Sequence, residues 1–330
     1  MLTEQLVTEL NHFAQILSQP ANRWDGFDLS TSHSPTNTLR EQIFYASWLM
    51  AALAKHPDAG SEERNLAIDG LRSGMQRLIQ RRIWAPWANT TEQRGEVPDP
   101  IEAGHASYSG SLTTLLGLAA SLGEHPYAAE PVVLRWSHEF VCSYNHVQML
   151  QCLSAKMHRD DSGAIVDYDE TTSSSAMARI LWGLRLSPVI LEPDQNSTSE
   201  RWLQTLRNKL VMRGPRMPGR GVFASSYQVR RRRASLRSEA LEDAMALALL
   251  APLAPDLAQE IAPRHWPSIA QPERVSSTLV LVFSALAALA LKEDERATQL
   301  SAAAAARPDS GEPWPRALLA LVACGGMRSP

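Results

Sequence analysis

The chain has only three cysteines in 330 residues. That number cannot build a disulfide framework, so a reducing compartment, the cytoplasm, is the expected setting. It also lacks a strong excess of either charge: the formal net charge is −3, which argues against nucleic acid or an acidic membrane as the main partner. No long apolar run occurs. The most apolar stretch, Val275 to Leu291, is interrupted by serines and a threonine and falls short of a membrane-spanning helix. The N-terminus is acidic and amphipathic, without the basic start and continuous apolar segment of a signal peptide. Secreted, transmembrane and DNA-binding classes are therefore disfavoured. There is no P-loop, no G-x-G-x-x-G after a strand, no H-E-x-x-H, no C-x-x-C pair and no G-x-S-x-G. Nucleotide cofactors, zinc hydrolysis and α/β-hydrolase chemistry lose their support with them.

What the chain does have is helical spacing almost throughout. Apolar residues make up 44% and charged residues 20%, enough for a buried core. Leu2, Leu6, Leu10, Phe13 and Leu17 fall at steps of three and four, which predicts a helix over 1–19 ended by Pro20. Thr38 can cap a second helix to Lys55, and a third runs from about Glu62 to Arg82, ending near Trp84-Ala85-Pro86-Trp87. Asn89 to His105 reads as a long surface loop. Helices follow near Gly110–Leu122, Pro131–Met157, Ser174–Leu186, Ser199–Met212, Ser238–Leu250, Asp256–Ile261, Val275–Leu291, Ala297–Ala306 and Trp314–Val322. Asp160 to Thr172 is polar and fits a turn or short hairpin, and Arg213 to Gln228 reads as irregular or briefly extended. About eleven helices with little strand exclude a doubly wound α/β fold. The expectation is a single all-α domain over 1–330, with helical hairpins closed into an α/α barrel. Globin-like or solenoid packing is the competitor.

Five segments carry chemistry. Gly104 to Leu112 enters a helix from a loop, and its His105, Tyr108 and Ser111 can exchange protons or donate hydrogen bonds. Equally, it reads as a serine-rich cap with a packed tyrosine. Trp136 to Cys152 crowds polar and aromatic residues onto one predicted helix, where Cys142 and His146 at i, i+4 share a face. A thiol beside an imidazole can relay protons or act as a nucleophile, whereas two buried cysteines are small hydrophobes. No metal is expected, since zinc needs more ligands. Trp24, Phe27, Tyr45, Trp48, Trp84 and Trp87 form an aromatic set suited to an apolar or carbohydrate ligand, or to core packing. Asp160, Asp161, Asp167, Asp169 and Glu170 read as a solvated loop, with a divalent cation as the alternative. Arg230 to Arg233, followed by Ala-Ser-Leu-Arg, reads as a solvated run or a chance kinase-like pattern.

Taken in order, Leu39 to Trp48, Met75 to Ile79 with Trp84 and Trp87, Asp99-Pro100, Tyr108-Ser109-Gly110-Ser111-Leu112 and Leu247 to Pro267 resemble the linalool dehydratase/isomerase family, collinearly over about 38–300. The resemblance implies an α/α barrel and cofactor-free acid–base chemistry on a terpenoid or similarly apolar substrate. The family has a histidine after Tyr-Ser-Gly; here that position is Ser111, so His105 or His146 would have to supply the imidazole. Of the family's two cysteines, Cys152 fits the second, and the first falls at Ser143 or, with a one-residue shift, at Cys142. Tyr45 matches the family tyrosine, while Asp25 or Asp28 stands nearest to its acid.

The expected function is a cofactor-independent isomerase, cyclase or hydro-lyase of natural-product biosynthesis, with an apolar terpenoid or polyketide-like substrate and homo-oligomerisation as an option. Tyr45, Tyr108, Cys142, His146 and Cys152 would handle protons. Asp28, Trp48, Trp87, His105, Ser111, Met149, Phe223 and Tyr227 would bind the substrate. The alternative is a carbohydrate-active α/α barrel using two carboxylates, Asp25 or Asp28 with Glu139 or Asp167.

Overall fold

A computed structural model describes residues 1–29, 38–93, 95, 97–125, 130–187, 194–212 and 221–327. The described residues are mostly helical, with thirteen α-helices and two small sheets. No described helix is long and apolar enough to cross a membrane.

Helix α1 (Glu4–Leu17) starts at Thr3, whose side chain accepts from the Leu6 N–H, and buries the expected stripe of Leu6, Leu10, Phe13 and Leu17. Arg77 of α3 (Ser61–Leu78) closes the other end. Its guanidinium donates to the carbonyls of Leu17, Gln19 and Arg23, satisfying groups that a helix end leaves open.

Helix α2 (Thr38–Ala54) departs from the stripe expected of it: every residue except Ala52 is buried. The same holds for α5 (Ala106–Ala120), α7 (Ser174–Arg185) and α11 (Thr278–Ala290), which are buried almost all round. A helix apolar on all sides belongs inside the structure. Helices α3, α6 (His146–Arg159), α10 (Pro255–His265) and α12 (Asp294–Ala305) bury one side only. The inner helices contact one another in chain order: α2 with α5, α5 with α7, α7 with α9 (Ala240–Leu250), α9 with α11, and α11 with α13 (Pro313–Ala323). Helix α13 packs back on α2. On the outside, α3 covers α2, α10 covers α9 and α12 covers α11.

Helices α5 and α7 approach closely because glycines line their contact. A Cβ on Gly110 would fall 2.8 Å from the Ile180 backbone nitrogen, and one on Gly183 would fall 2.8 Å from the Thr113 Cβ. Backbone in the first case has nowhere to move, so this seam requires the small residue.

Three expectations need correction. The helix read over Pro131–Met157 is an antiparallel hairpin, β1 (Val132–Arg135) with β2 (Val141–Tyr144), followed by α6. The β-branched pair Val132-Val133 and the alternating burial along β1 suit a strand. Asn145 then starts α6 through a capping box with Gln148. Cys142 therefore lies on a strand and His146 on a helix, and their i, i+4 relation does not hold. Next, Trp84 to Trp87 does not end a helix but sits inside α4 (Arg81–Gln93). Finally, Asn89 to His105 is not all surface loop: α4 runs into it, and Pro100–Gly104 is a π-helical turn capped by Asp99 that buries Pro100, Ile101 and Gly104.

The second sheet orders β3 (Thr171–Thr172), β4 (Tyr227–Gln228) and β5 (Arg233–Ala234) antiparallel, joining the two segments read as turn and extended chain. Within the second of those readings, residues 213–220 lie outside the described residues.

Candidate functional site

The π-helical turn is the hub of a cleft. Asp99 Oδ1 accepts the Ile101 and Glu102 N–H groups at 2.8 and 2.9 Å, the arrangement of an N-cap. Its Oδ2 accepts the Tyr144 hydroxyl at 2.6 Å. The Cys152 thiol donates to Glu102 Oε2 at 2.9 Å. Burial pushes the Cys142 thiol up to about 12, helped by Asp99, and burial with Glu102 does the same to Cys152. Burial and Asp99 together raise Tyr144 above the usual phenol range. All three are protonated at neutral pH, so neither thiol is the thiolate that a nucleophile requires.

On the other side of the turn lies His105, buried at the start of α5. Its Nδ1 is 2.6 Å from Asp167 Oδ1, which also accepts the Ser107 N–H at 2.9 Å, while Asp167 Oδ2 accepts the Ser107 hydroxyl at 2.6 Å. Burial opposes charge on Asp167, but His105, Arg40 and Ser107 outweigh it and hold the carboxyl below its usual range. Burial lowers the His105 pKa against the pull of Asp167, and Arg40 adds to the lowering. Arg40 Nη1 stands 3.5 Å from His105 Nε2. Trp87 stacks on the imidazole with ring centroids 5.0 Å apart and donates its indole N–H to the Asp167 carbonyl at 3.1 Å.

These elements open onto a cleft of about 450 Å³, whose wall includes Trp87, Asp99, Glu102, Asp167, Tyr168 and Arg230. Tyr144, Cys152 and His105 are not among its lining residues but bond to the carboxylates of Asp99, Glu102 and Asp167, which are; Cys142 is likewise absent from the wall.

A buried polar network continues from Arg40 across the inner helices. Arg40 donates to Glu41 Oε1 at 3.1 Å, and Arg179 of α7 grips the same carboxylate with two bonds of 2.8 and 2.6 Å. Tyr45, fully buried, packs its ring against Phe44, Phe283 and Trp314, with the Arg179 guanidinium 6.0 Å from its centroid. Glu242 of α9 accepts the Ser175 N–H and hydroxyl at 2.8 and 2.7 Å, and burial pushes it up to about 7. A carboxyl raised in the folded state contributes stability at low pH that is lost as pH rises through that value. Glu242→Gln should therefore gain on the parent protein between pH 4.5 and somewhat above 7, by up to about 3 kcal/mol. Urea titrations of both proteins across that range measure it, and parallel stability curves would refute it.

The other expected site residues are scattered. Tyr108 is buried with its ring centroid 5.9 Å from that of His105. Ser111 returns its hydroxyl to the Ser107 carbonyl within α5, so it lends no donor to the cleft. His146 is buried at the start of α6, and burial with His125 lowers it to about 4. Trp48, Met149 and Phe223 are core residues. Tyr227 packs its ring against Trp202. Asp28 lies elsewhere, with its backbone held by the Gln42 side chain on both sides at 2.8 and 2.9 Å. Of the acidic run Asp160–Glu170, Asp167 is turned inward rather than solvated. No group of three possible metal ligands occurs among the described residues.

Sequence reasoning passed over Tyr144, Glu102, Arg40, Glu41, Arg179 and Glu242. A signal was available for some of them: Arg40-Glu41 and Arg179 sit inside otherwise apolar helices, where an unpaired charge would be costly. No family model matches the chain, and no curated protein matches it.

Proposed function

We propose that the chain is a cofactor-independent acid–base enzyme, an isomerase, cyclase or hydro-lyase, acting on a small molecule with an apolar body and a hydroxyl group. The observation that carries this reading is Asp99: a carboxylate on the cleft wall, backed at 2.6 Å by the Tyr144 hydroxyl. Dehydration or double-bond isomerisation needs a proton delivered to a leaving hydroxyl or alkene and another removed nearby. We assign that work to Asp99, Glu102 and Asp167 among the acidic residues of the cleft wall, and Trp87, Val97, Val166 and Tyr168 offer a bound molecule an apolar wall. Tyr144, Cys152 and His105 then act as positioning residues, fixing the direction of those carboxylates through their hydrogen bonds, with Cys142 beside Asp99.

The cyclic order of contacts from α2 round to α13 and back supports an α/α barrel as the scaffold. The starts of α2, α5, α7 and α9 contribute Arg40, Glu41, His105, Ser107, Ser175 and Glu242, placing the polar groups together at one end of that ring. Resemblance to the linalool dehydratase/isomerase family favours a terpenoid-like substrate and natural-product biosynthesis, and the free cysteines suit a cytoplasmic setting.

A carbohydrate-active reading gains from one observation: five acidic residues, Asp99, Glu102, Asp167, Asp169 and Glu170, line the cleft with Trp87, an aromatic surface for a sugar face. The two readings part in one experiment. Purified protein is incubated with an extract of the producing cell lacking the gene, and species are followed by mass spectrometry. A product of unchanged mass, or one lighter by a water, supports the first reading. Released sugars support the second, and no turnover by folded protein refutes both.

A further inference from the structure

The β4–β5 hairpin has a feature that neither reading of the cleft uses. Its tip and outgoing strand read Arg230-Arg231-Arg232-Arg233-Ala234-Ser235-Leu236-Arg237. Ser235 has arginines two and three residues before it and leucine directly after it. No other serine or threonine of the chain has arginine at both of those preceding positions. Two guanidiniums at fixed offsets present ten N–H donors' worth of planar recognition to a carboxylate-lined groove, and an apolar residue beyond the serine gives a second anchor. That is the chemistry by which an arginine-directed serine kinase holds its acceptor.

The fold displays this segment. Arg230 to Arg233 are all exposed, and Leu236, at 83% exposure, is the most exposed large apolar side chain of the described chain after Met1. Strand β5 is the edge of its sheet and, among the described strands, pairs with β4 alone, an extended segment of the form a kinase takes up. Ser235 follows β5 directly. Its backbone N–H is bonded to the Ser226 carbonyl at 2.8 Å, and among the described residues its hydroxyl oxygen accepts a local N–H, that of Arg237, at 3.0 Å. Neither bond ties Ser235 to a helix. The arginines that pair do so at the surface, Arg230 with Glu170 at 2.6 Å and Arg232 with Asp161. Exposed pairs of this kind are worth little and yield readily to a stronger partner.

We infer that Ser235 is a phosphorylation site for an arginine-directed serine kinase. In that step the Ser235 oxygen bonds to the γ-phosphorus of ATP, the β–γ phosphoanhydride bond breaks, ADP leaves, and the hydroxyl proton passes to the kinase's base. The product places about two negative charges among Arg230, Arg231, Arg232, Arg233 and Arg237. Because Arg230 also lines the cleft, the new charge arrives on the segment that forms its rim.

The test uses the folded full-length chain, ATP and the catalytic subunit of a cyclic-AMP-dependent protein kinase, with tandem mass spectrometry as readout. A peptide covering residues 229–238 serves as the control. The expected result is a single phosphate on Ser235 in both. It should vanish in Ser235→Ala and slow by roughly tenfold or more in Arg232→Ala/Arg233→Ala, each lost arginine removing a charge-assisted contact. Modification of the peptide but not of the folded chain would overturn the inference, because the fold would then withhold the serine. Lack of modification in both, or a phosphate that persists in Ser235→Ala, would overturn it as well.

Discussion

Truncating Glu41 to alanine should cost about 3–5 kcal/mol of stability, the range for removing one partner of a buried ion pair. Glu41 is 3% exposed, and its carboxylate takes two bonds from Arg179 and two from Arg40. Both guanidiniums belong to residues at most 2% exposed. Without Glu41, the nearest carboxylates left to them are Asp167, already occupied by His105 and Ser107, and Glu242, occupied by Ser175. Two cations would then remain in a medium that solvates them poorly, and the cost is the loss of compensation rather than of contact area. Arg179→Met tests the same point from the other side, since it removes a charge while keeping an apolar stem. It should be less damaging than Glu41→Ala, which strands two charges. Guanidinium titration at neutral pH measures both. A loss below about 1 kcal/mol for Glu41→Ala would mean that water or a counter-ion solvates the arginines.

The second large effect is expected on turnover. Asp99→Asn should lower the rate on the natural substrate by about 10²–10⁴-fold, the usual worth of a positioned proton-transfer group. Asparagine is as good an N-cap as aspartate, so the oxygen facing Ile101 and Glu102 is kept and the π-helical turn should persist. What is lost is Oδ2, the acceptor of the Tyr144 hydroxyl, which becomes an amide donor facing another donor. The substitution thus separates chemistry from folding. Tyr144→Phe, which keeps the Asp99 carboxyl and removes only the hydrogen bond at its Oδ2, should reduce the rate less. Unchanged turnover in Asp99→Asn, with the fold intact, would remove Asp99 from the catalytic role and shift the reading towards Glu102 and Asp167.

Much of the helical framework was legible because periodicity is a local property. The stripe of α1 and the bounds of α9 to α13 follow from apolar spacing with only small errors at the ends. Misreadings occurred where a short apolar run fits two periods. Val132 to Tyr144 contains enough valine and aromatic residues for a strand, yet flanking helices made a helical reading natural. The consequence reached the site: Cys142 and His146, paired on paper by helical spacing, occupy different elements. Trp87 and His105, expected to bind substrate, and Cys152, expected to handle protons, lie on or next to the cleft wall. Their roles were not legible: Trp87 lines the cleft itself, while His105 and Cys152 bond to the carboxylates of Asp167 and Glu102, partners set by tertiary contact and not by sequence spacing.

By itself, the sequence determined the helical class, the lack of a long apolar run, the stripe of α1 and the chemical types available for a site. Those depend on neighbours within a turn or two, where propensity and spacing act directly. Tertiary structure alone decided which charges are buried and paired. Glu41 and Arg179 are 138 positions apart, and His105 and Asp167 are 62 apart. No local pattern encodes such pairs; they exist because α2, α5 and α7 pack together and bring their starting turns to one place, where each charge must find its opposite or destabilise the fold.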